Sequence, residues 1–158
     1  MADEKLEHAQ KVYETLCTTL DSLEWKYQKN EENLRIDCGA QGEDLPMEIS
    51  IRVDADRQLI ILLSHLPFVV SEEKRLEVAI ATSVANNGLV DGSFDFDVTD
   101  GHMFFRMTSS FIESEIGNEL FTYMIMVSCH TIDDYNDRFL MLAKGMMTIQ
   151  DFMAKENN

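Results

Sequence analysis

Basic residues are scarce in this chain: 13 lysines and arginines stand against 29 aspartates and glutamates, a formal charge of −16 over 158 residues. A field of that sign repels a phosphate backbone and an anionic bilayer surface, so nucleic-acid and membrane partners are both disfavoured. Proline occurs twice and glycine seven times, which leaves no collagenous, linker-like or low-complexity tract. Cysteine occurs three times, at Cys17, Cys38 and Cys129. An odd number, widely spaced and without a Cys-x-x-Cys step, supports neither a disulfide framework nor a structural zinc site; reduced thiols in a cytoplasm fit best. No uncharged apolar run approaches the ~18 residues of a membrane-spanning helix. The opening MADEKLEHAQ lacks the basic and apolar regions of a signal peptide. The expectation is a cytoplasmic protein.

Recognisable chemical motifs are missing as well. The chain has no glycine-rich phosphate loop, no Gly-x-Ser-x-Gly elbow and no His-Glu-x-x-His pair. His8, His65, His102 and His130 have no metal-ligand spacing. Ser128, Cys129 and His130 are consecutive, but consecutive residues on a helix point about 100° apart, so the run does not build a nucleophile–base pair. Asp91, Asp95, Asp97 and Asp100 miss the calcium-loop pattern and alternate as a strand does. No catalytic, cofactor-binding or metal-ligating residue is assigned, no cofactor is expected, and the chain is not read as an enzyme.

What the chain has is periodicity. From Asp3 to Leu23 apolar residues, including Leu6, Ala9, Val12, Leu16 and Leu20, recur every three or four positions, the stripe of an amphipathic helix. The period then drops to two. Trp25 and Tyr27, then Leu34 and Ile36, flank the polar turn 29–33. After a loop predicted over Gly39 to Asp44, Met47, Ile49, Ile51 and Val53 alternate with polar residues from Pro46 onward. Leu59 to Leu63 is apolar on both faces, so that strand is covered twice, either by a helix of the same chain or by another subunit. Pro67 is expected to end it. Ser71 reads as the cap of a helix that Gly88 would stop.

The segment Asp91 to Ser109, DGSFDFDVTDGHMFFRMTS, reads as a hairpin turning at Asp100 and Gly101. That register sets Val98 opposite Met103, Phe96 opposite Phe105 and Phe94 opposite Met107, all on one dry face. Ser114 to Lys144 is predicted helical with a break near Thr131 to Asp134, and Thr148 is predicted to cap a last short helix. Ten methionines, crowded into the C-terminal half, suit either an adaptable binding surface or a core filler, and helical spacing favours the core.

The fold class is therefore α+β: an antiparallel sheet packed against helices in the order α-ββββ-α-ββ-α. At this length one core can bury roughly 70% of the unfolded surface. The expected organisation is a single domain over 1–145 and a short helical extension over 146–158.

Three stretches carry a resemblance: LPFVVSEEK at Leu66 to Lys74, VANNG at Val84 to Gly88, and GSFDFDVTDGHMFFRM at Gly92 to Met107. With the order of elements from Leu16 to Lys144, they resemble the YbjN-like family, described as bacterial sensory transduction regulators. The resemblance implies the type III secretion chaperone-like fold, pairing into dimers and binding of polypeptide segments, with no catalytic residue to carry over. The tail 146–158 departs from the family by running past its usual end.

The functional expectation is a noncatalytic binding or regulatory protein, a homodimer that holds a protein or peptide partner of apolar or basic character. The residues expected to line the interaction surface are Leu59, Ile61, Leu63, Phe104 and Met126. The alternative is an enzyme or small-ligand carrier with an apolar pocket between helix and sheet, for which His65, Ser83 and His130 are the available polar groups.

Overall fold

The first helix, α1 (Ala2–Ser22), buries Ala9, Val12, Tyr13, Leu16, Cys17 and Leu20 of the stripe that its periodicity marks out, together with Thr19, whereas Leu6, one turn from the helix start, is exposed. The computed structural model describes residues 1–157. Four strands follow in a meander: β1 (Tyr27–Asn30), β2 (Arg35–Gln41), β3 (Pro46–Asp54) and β4 (Leu59–Val69). A 3-10 turn (Glu72–Lys74) leads into α2 (Arg75–Asn87). The hairpin β5 (Ser93–Phe96) and β6 (His102–Ser110) precedes α3 (Asn118–Ala143) and α4 (Ile149–Glu156). Among the described residues the strands form one six-stranded antiparallel sheet, ordered β1-β2-β3-β4-β6-β5.

Alternation divides the sheet into two faces. Ile36, Ile49, Ile51, Val53, Ile60, Leu62, Phe105 and Met107 point inward and are buried. Helix α1 packs on β3, α3 packs on β4 and β6, and α2 packs on β5 and on α4. Under α3 an aromatic cluster of Phe94, Tyr135, Phe139 and Phe152 closes the core, with ring centroids 5.1 Å apart for Phe94–Phe139 and 5.3 Å for Phe139–Phe152. Half of the eight methionines in the C-terminal half belong to this core: Met103, Met107, Met124 and Met147 are buried, whereas Met126, Met146 and Met153 are exposed.

Several local expectations are corrected. β2 runs to Gln41 because Gly39, Ala40 and Gln41 pair with Glu48, Met47 and Pro46, so the loop shrinks to a short turn. That turn is tied to α3, where Asp133 Oδ1 accepts the Glu43 amide at 2.9 Å. Pro67 does not end β4. The register slips between His65 and Val69, and an irregularity of that kind admits a residue with no amide hydrogen. Gly88 closes α2 in a right-handed conformation, φ −92°, so the stop does not use glycine's left-handed freedom. Helix α3 is unbroken from Asn118 to Ala143. The cap at Thr148 forms: its hydroxyl accepts the Asp151 amide at 3.1 Å, and Asp151 accepts the Thr148 amide at 3.3 Å.

The hairpin pairs two residues away from the expected register, with Phe94 opposite Phe105 and Phe96 opposite Met103. An even shift leaves the dry face dry, except that Val98 becomes a loop residue and is 55% exposed. The cause is tertiary. Arg75 donates to the carbonyls of Val70, Thr99 and Asp100 at 3.1, 2.9 and 3.3 Å. The Val70 amide donates to the Gly101 carbonyl at 2.9 Å. Asp97 accepts the Thr99 amide at 2.9 Å and the Thr99 hydroxyl at 2.5 Å. The longer loop is thereby moored to the start of α2, which a free two-residue turn could not reach.

Candidate functional site

The outward face of the sheet carries a strip of half-buried apolar side chains. On β4 the outward positions are Leu59, Ile61, Leu63 and His65, and the first three are half-buried with no helix over them among the described residues. Phe104 of β6 lies directly opposite His65, and the two rings stack at 5.5 Å with planes tilted by 49°. Four of the five expected interaction residues thus share one face. The fifth does not: Met126 is 43% exposed on the solvent side of α3, in the helical layer on the opposite side of the sheet. Its neighbour Tyr123, also exposed, donates its hydroxyl to Asp91, which raises the Tyr123 pKa because that bond favours the protonated phenol.

Beside the apolar strip the twist of β1 to β4 leaves a groove of about 650 Å³, lined by Lys26, Gln28, Asp37, Gly39, Glu48, Ser50, Leu63 and His65 among others. Gly39 opens its floor. A Cβ there would meet only the Met47 carbonyl, at 3.5 Å, an ordinary contact. Reading the segment as a loop concealed this groove, because a glycine on a strand removes a side chain that one in a loop would not miss.

The arginines of this face are neutralised within it. Arg35 pairs with Asp37 at 3.0 Å, Arg52 with Asp54 at 3.6 Å, and Arg106 with Asp95 at 2.8 Å. A second depression, of about 660 Å³, runs along α1 between Tyr13, Glu14, Cys17, Asp21, Lys29 and Glu31. Its rim is acidic. Burial pushes the Tyr13 hydroxyl up to about 12, helped by the neighbouring Cys17.

The residues weighed for chemistry disperse. Ser128 is buried and its hydroxyl reaches the Met107 sulfur at 3.9 Å. Burial, then the Asp133 charge, pushes the Cys129 thiol up to about 11, away from the thiolate a nucleophile requires. His130 faces out and meets Asp134 at 3.4 Å. His65, Ser83 and His130 sit on the outer sheet face, the exposed side of α2 and the exposed side of α3, so they do not converge. The four aspartates of the hairpin region have separate partners: Tyr123 for Asp91, Arg106 for Asp95, Thr99 for Asp97 and His102 for Asp100. Among the described residues no three His, Cys, Asp or Glu side chains gather as a metal site, and no helix is long and apolar enough to cross a membrane.

With this geometry in view, the comparisons with known proteins are consistent. The model of the YbjN family, described as "Putative bacterial sensory transduction regulator", matches residues 13–141. Among solved structures, the chain is similar to YbjN from E. coli, described as a putative transcription regulator. That match has a TM-score of 0.57 and 14% identity, covering 77% of this chain and 86% of that one. It is also similar to a chain of the ExsC-ExsE complex (TM-score 0.55, 13% identity, 80% and 94% covered). A chain of the HopA1-SchA chaperone–effector complex matches with TM-score 0.53 and 11% identity, covering 83% and 94%. No curated protein matches the sequence. At these identities the likeness is one of fold, and the fold is type III secretion chaperone-like.

Proposed function

Because the chain belongs to the YbjN family, we propose that it is a noncatalytic protein-binding regulator, a dimer that engages polypeptide through the outer face of its sheet and acts in the cytoplasm. One observation carries this reading: Leu59, Ile61, Leu63 and Phe104 form an apolar strip on the sheet face that, among the described residues, carries no helix. An apolar strip beside a groove favours loss of water on contact with a second apolar surface, at roughly 25 cal/mol per Å² removed. The chaperone–effector and ExsC-ExsE neighbours are themselves complexes of two proteins on the same architecture, which supports a protein partner. The basic character of that partner rests on the net charge alone, −16, which accelerates encounter with cationic segments.

The test is peptide capture by the immobilised protein, using synthetic segments of apolar, basic and acidic composition, read alongside light scattering. Ile61→Glu and Phe104→Glu place a charge in the strip and are expected to lower both capture and self-association by an order of magnitude or more while the circular dichroism stays native. Equal capture by wild type and both variants would sink the reading. Unfolding of Phe104→Glu would show that this ring belongs to the core.

A further inference from the structure

Helix α4 is held by few side chains. Of its eight residues only Phe152 is buried; Ile149 and Glu156 are half-buried and the other five are exposed. A helix that short does not persist on its own, so its structure depends on the seat beneath it. The link from α3 runs through Lys144, Gly145 and Met146, all exposed, with Gly145 at φ +72°. The residues that match the YbjN family stop at 141, before α4 begins. Few buried side chains, an exposed hinge and a marginal helix place α4 at the low-stability end of the molecule.

The seat is an aromatic floor with one cation, all on α3. The Phe152 ring lies 5.3 Å from Phe139 and 6.4 Å from Tyr135. Arg138 donates to the Phe152 carbonyl at 3.1 Å and pairs with Glu156 Oε1 at 2.8 Å, while the Tyr135 hydroxyl donates to Glu156 Oε2 at 2.8 Å. Phe152 and Glu156 stand four apart, so one face of α4 presents ring and carboxylate together. Glu156 lies in the last turn of α4 and beside Gly88 at the end of α2. Both of those helix ends are electronegative and disfavour a carboxylate. Arg138 offsets that, yet its own Nε is buried without a partner. The latch is thus one charged contact opposed by two helix dipoles.

We propose that α4 is a releasable strap, latched by Glu156, over a seat that takes a partner's helix of the same chemistry: amphipathic, with an aromatic residue and a carboxylate four positions on. This goes beyond the outer-face reading, because the seat lies in the helical layer on the other side of the sheet. The strap competes with that partner from within the chain. The seat's apparent affinity is therefore reduced by the fraction of time the strap is open.

Hydrogen exchange on the full chain tests the opening. The amides of Met153 to Glu156 should exchange through one shared opening, about tenfold or more faster than those of the buried α3 residues Ile132 and Phe139. Glu156→Gln should speed the α4 group by a common factor of about ten and leave Ile132 and Phe139 unchanged. Binding of a fluorescent peptide of residues 147–157 tests the seat. Phe152→Ala empties the seat and should bind the peptide about tenfold or more tightly than wild type does. A peptide that itself carries Phe152→Ala should not bind, and Ile61→Glu, on the outer sheet face, should leave peptide binding as in wild type. Exchange graded inward from the chain end, acceleration shared by Ile132 and Phe139, or equal peptide affinity in wild type and Phe152→Ala would overturn the proposal. So would loss of this peptide's binding in Ile61→Glu, which would leave the outer-face reading standing.

Discussion

Gly101 shows how much one position can hold. Its φ is +82°, and a Cβ there would collide with the Val70 carbonyl oxygen. Gly101→Ala therefore combines a left-handed backbone with a clash against main chain, and should cost about 1–3 kcal/mol, read as a lower urea midpoint. Titratable groups make a second expectation. Burial pushes the Tyr13 and Tyr135 hydroxyls and the Cys38 thiol each up to about 12, from ordinary values of 10, 10 and 9. Below those ordinary values both folded and unfolded chains hold the protons and the stability is at its full level. As pH rises further, the unfolded chain releases protons that the folded chain retains, so stability falls until pH passes about 12. Urea melts from neutral pH to about pH 11 should show midpoints declining above pH 9. A midpoint that rises with pH would contradict the burial of these groups. For the same reason Cys38 and Cys129 should react slowly with alkylating reagents near neutral pH.

The edge strand β5 is only four residues long, and a clamp secures it: the Asn86 amide donates to the Phe94 carbonyl and its oxygen accepts the Phe94 amide, both at 2.8 Å. This gives the VANNG segment a physical task, and Asn86→Ala should cost about 1–3 kcal/mol by leaving strand groups unpaired. Faster amide exchange at Phe94 would locate the effect there. Helix α4 is likewise seated by specific contacts. Phe152 is fully buried, Arg138 pairs with Glu156 at 2.8 Å, and the guanidinium lies over the Tyr135 and Phe152 rings at 4.9 and 4.5 Å. Phe152→Ala should cost about 3–5 kcal/mol in a denaturant melt, whereas loss of a merely appended tail would leave the midpoint where it was. Elements of this kind were largely legible beforehand: strong periods of 3.6 and 2.0 placed the helices and most strands. What escaped prediction was set by distant partners. Arg75 pulls the β5–β6 loop open by two residues, and the pairing of Gly39 with Glu48 turns an apparent loop into strand.

For the molecule as a whole, the net charge was plain from composition, but the pairing of the outer-face arginines with aspartates was not. Arg35 with Asp37, and Arg52 with Asp54, sit two apart on their strands and so share a side by alternation alone. Arg106 finds Asp95 across the hairpin. Of the five residues expected at the interaction surface, the four on strands were united by the same alternation, whereas Met126 was grouped with them on hydrophobicity and lies on the other layer. Helical and strand periods, the α+β class and the polarity of each strand face follow from local stereochemistry, which any stretch of chain carries with it. The hairpin register, the groove over Gly39 and the Arg106–Asp95 pair follow from contacts between separate strands and helices, and such contacts exist only once the sheet has assembled.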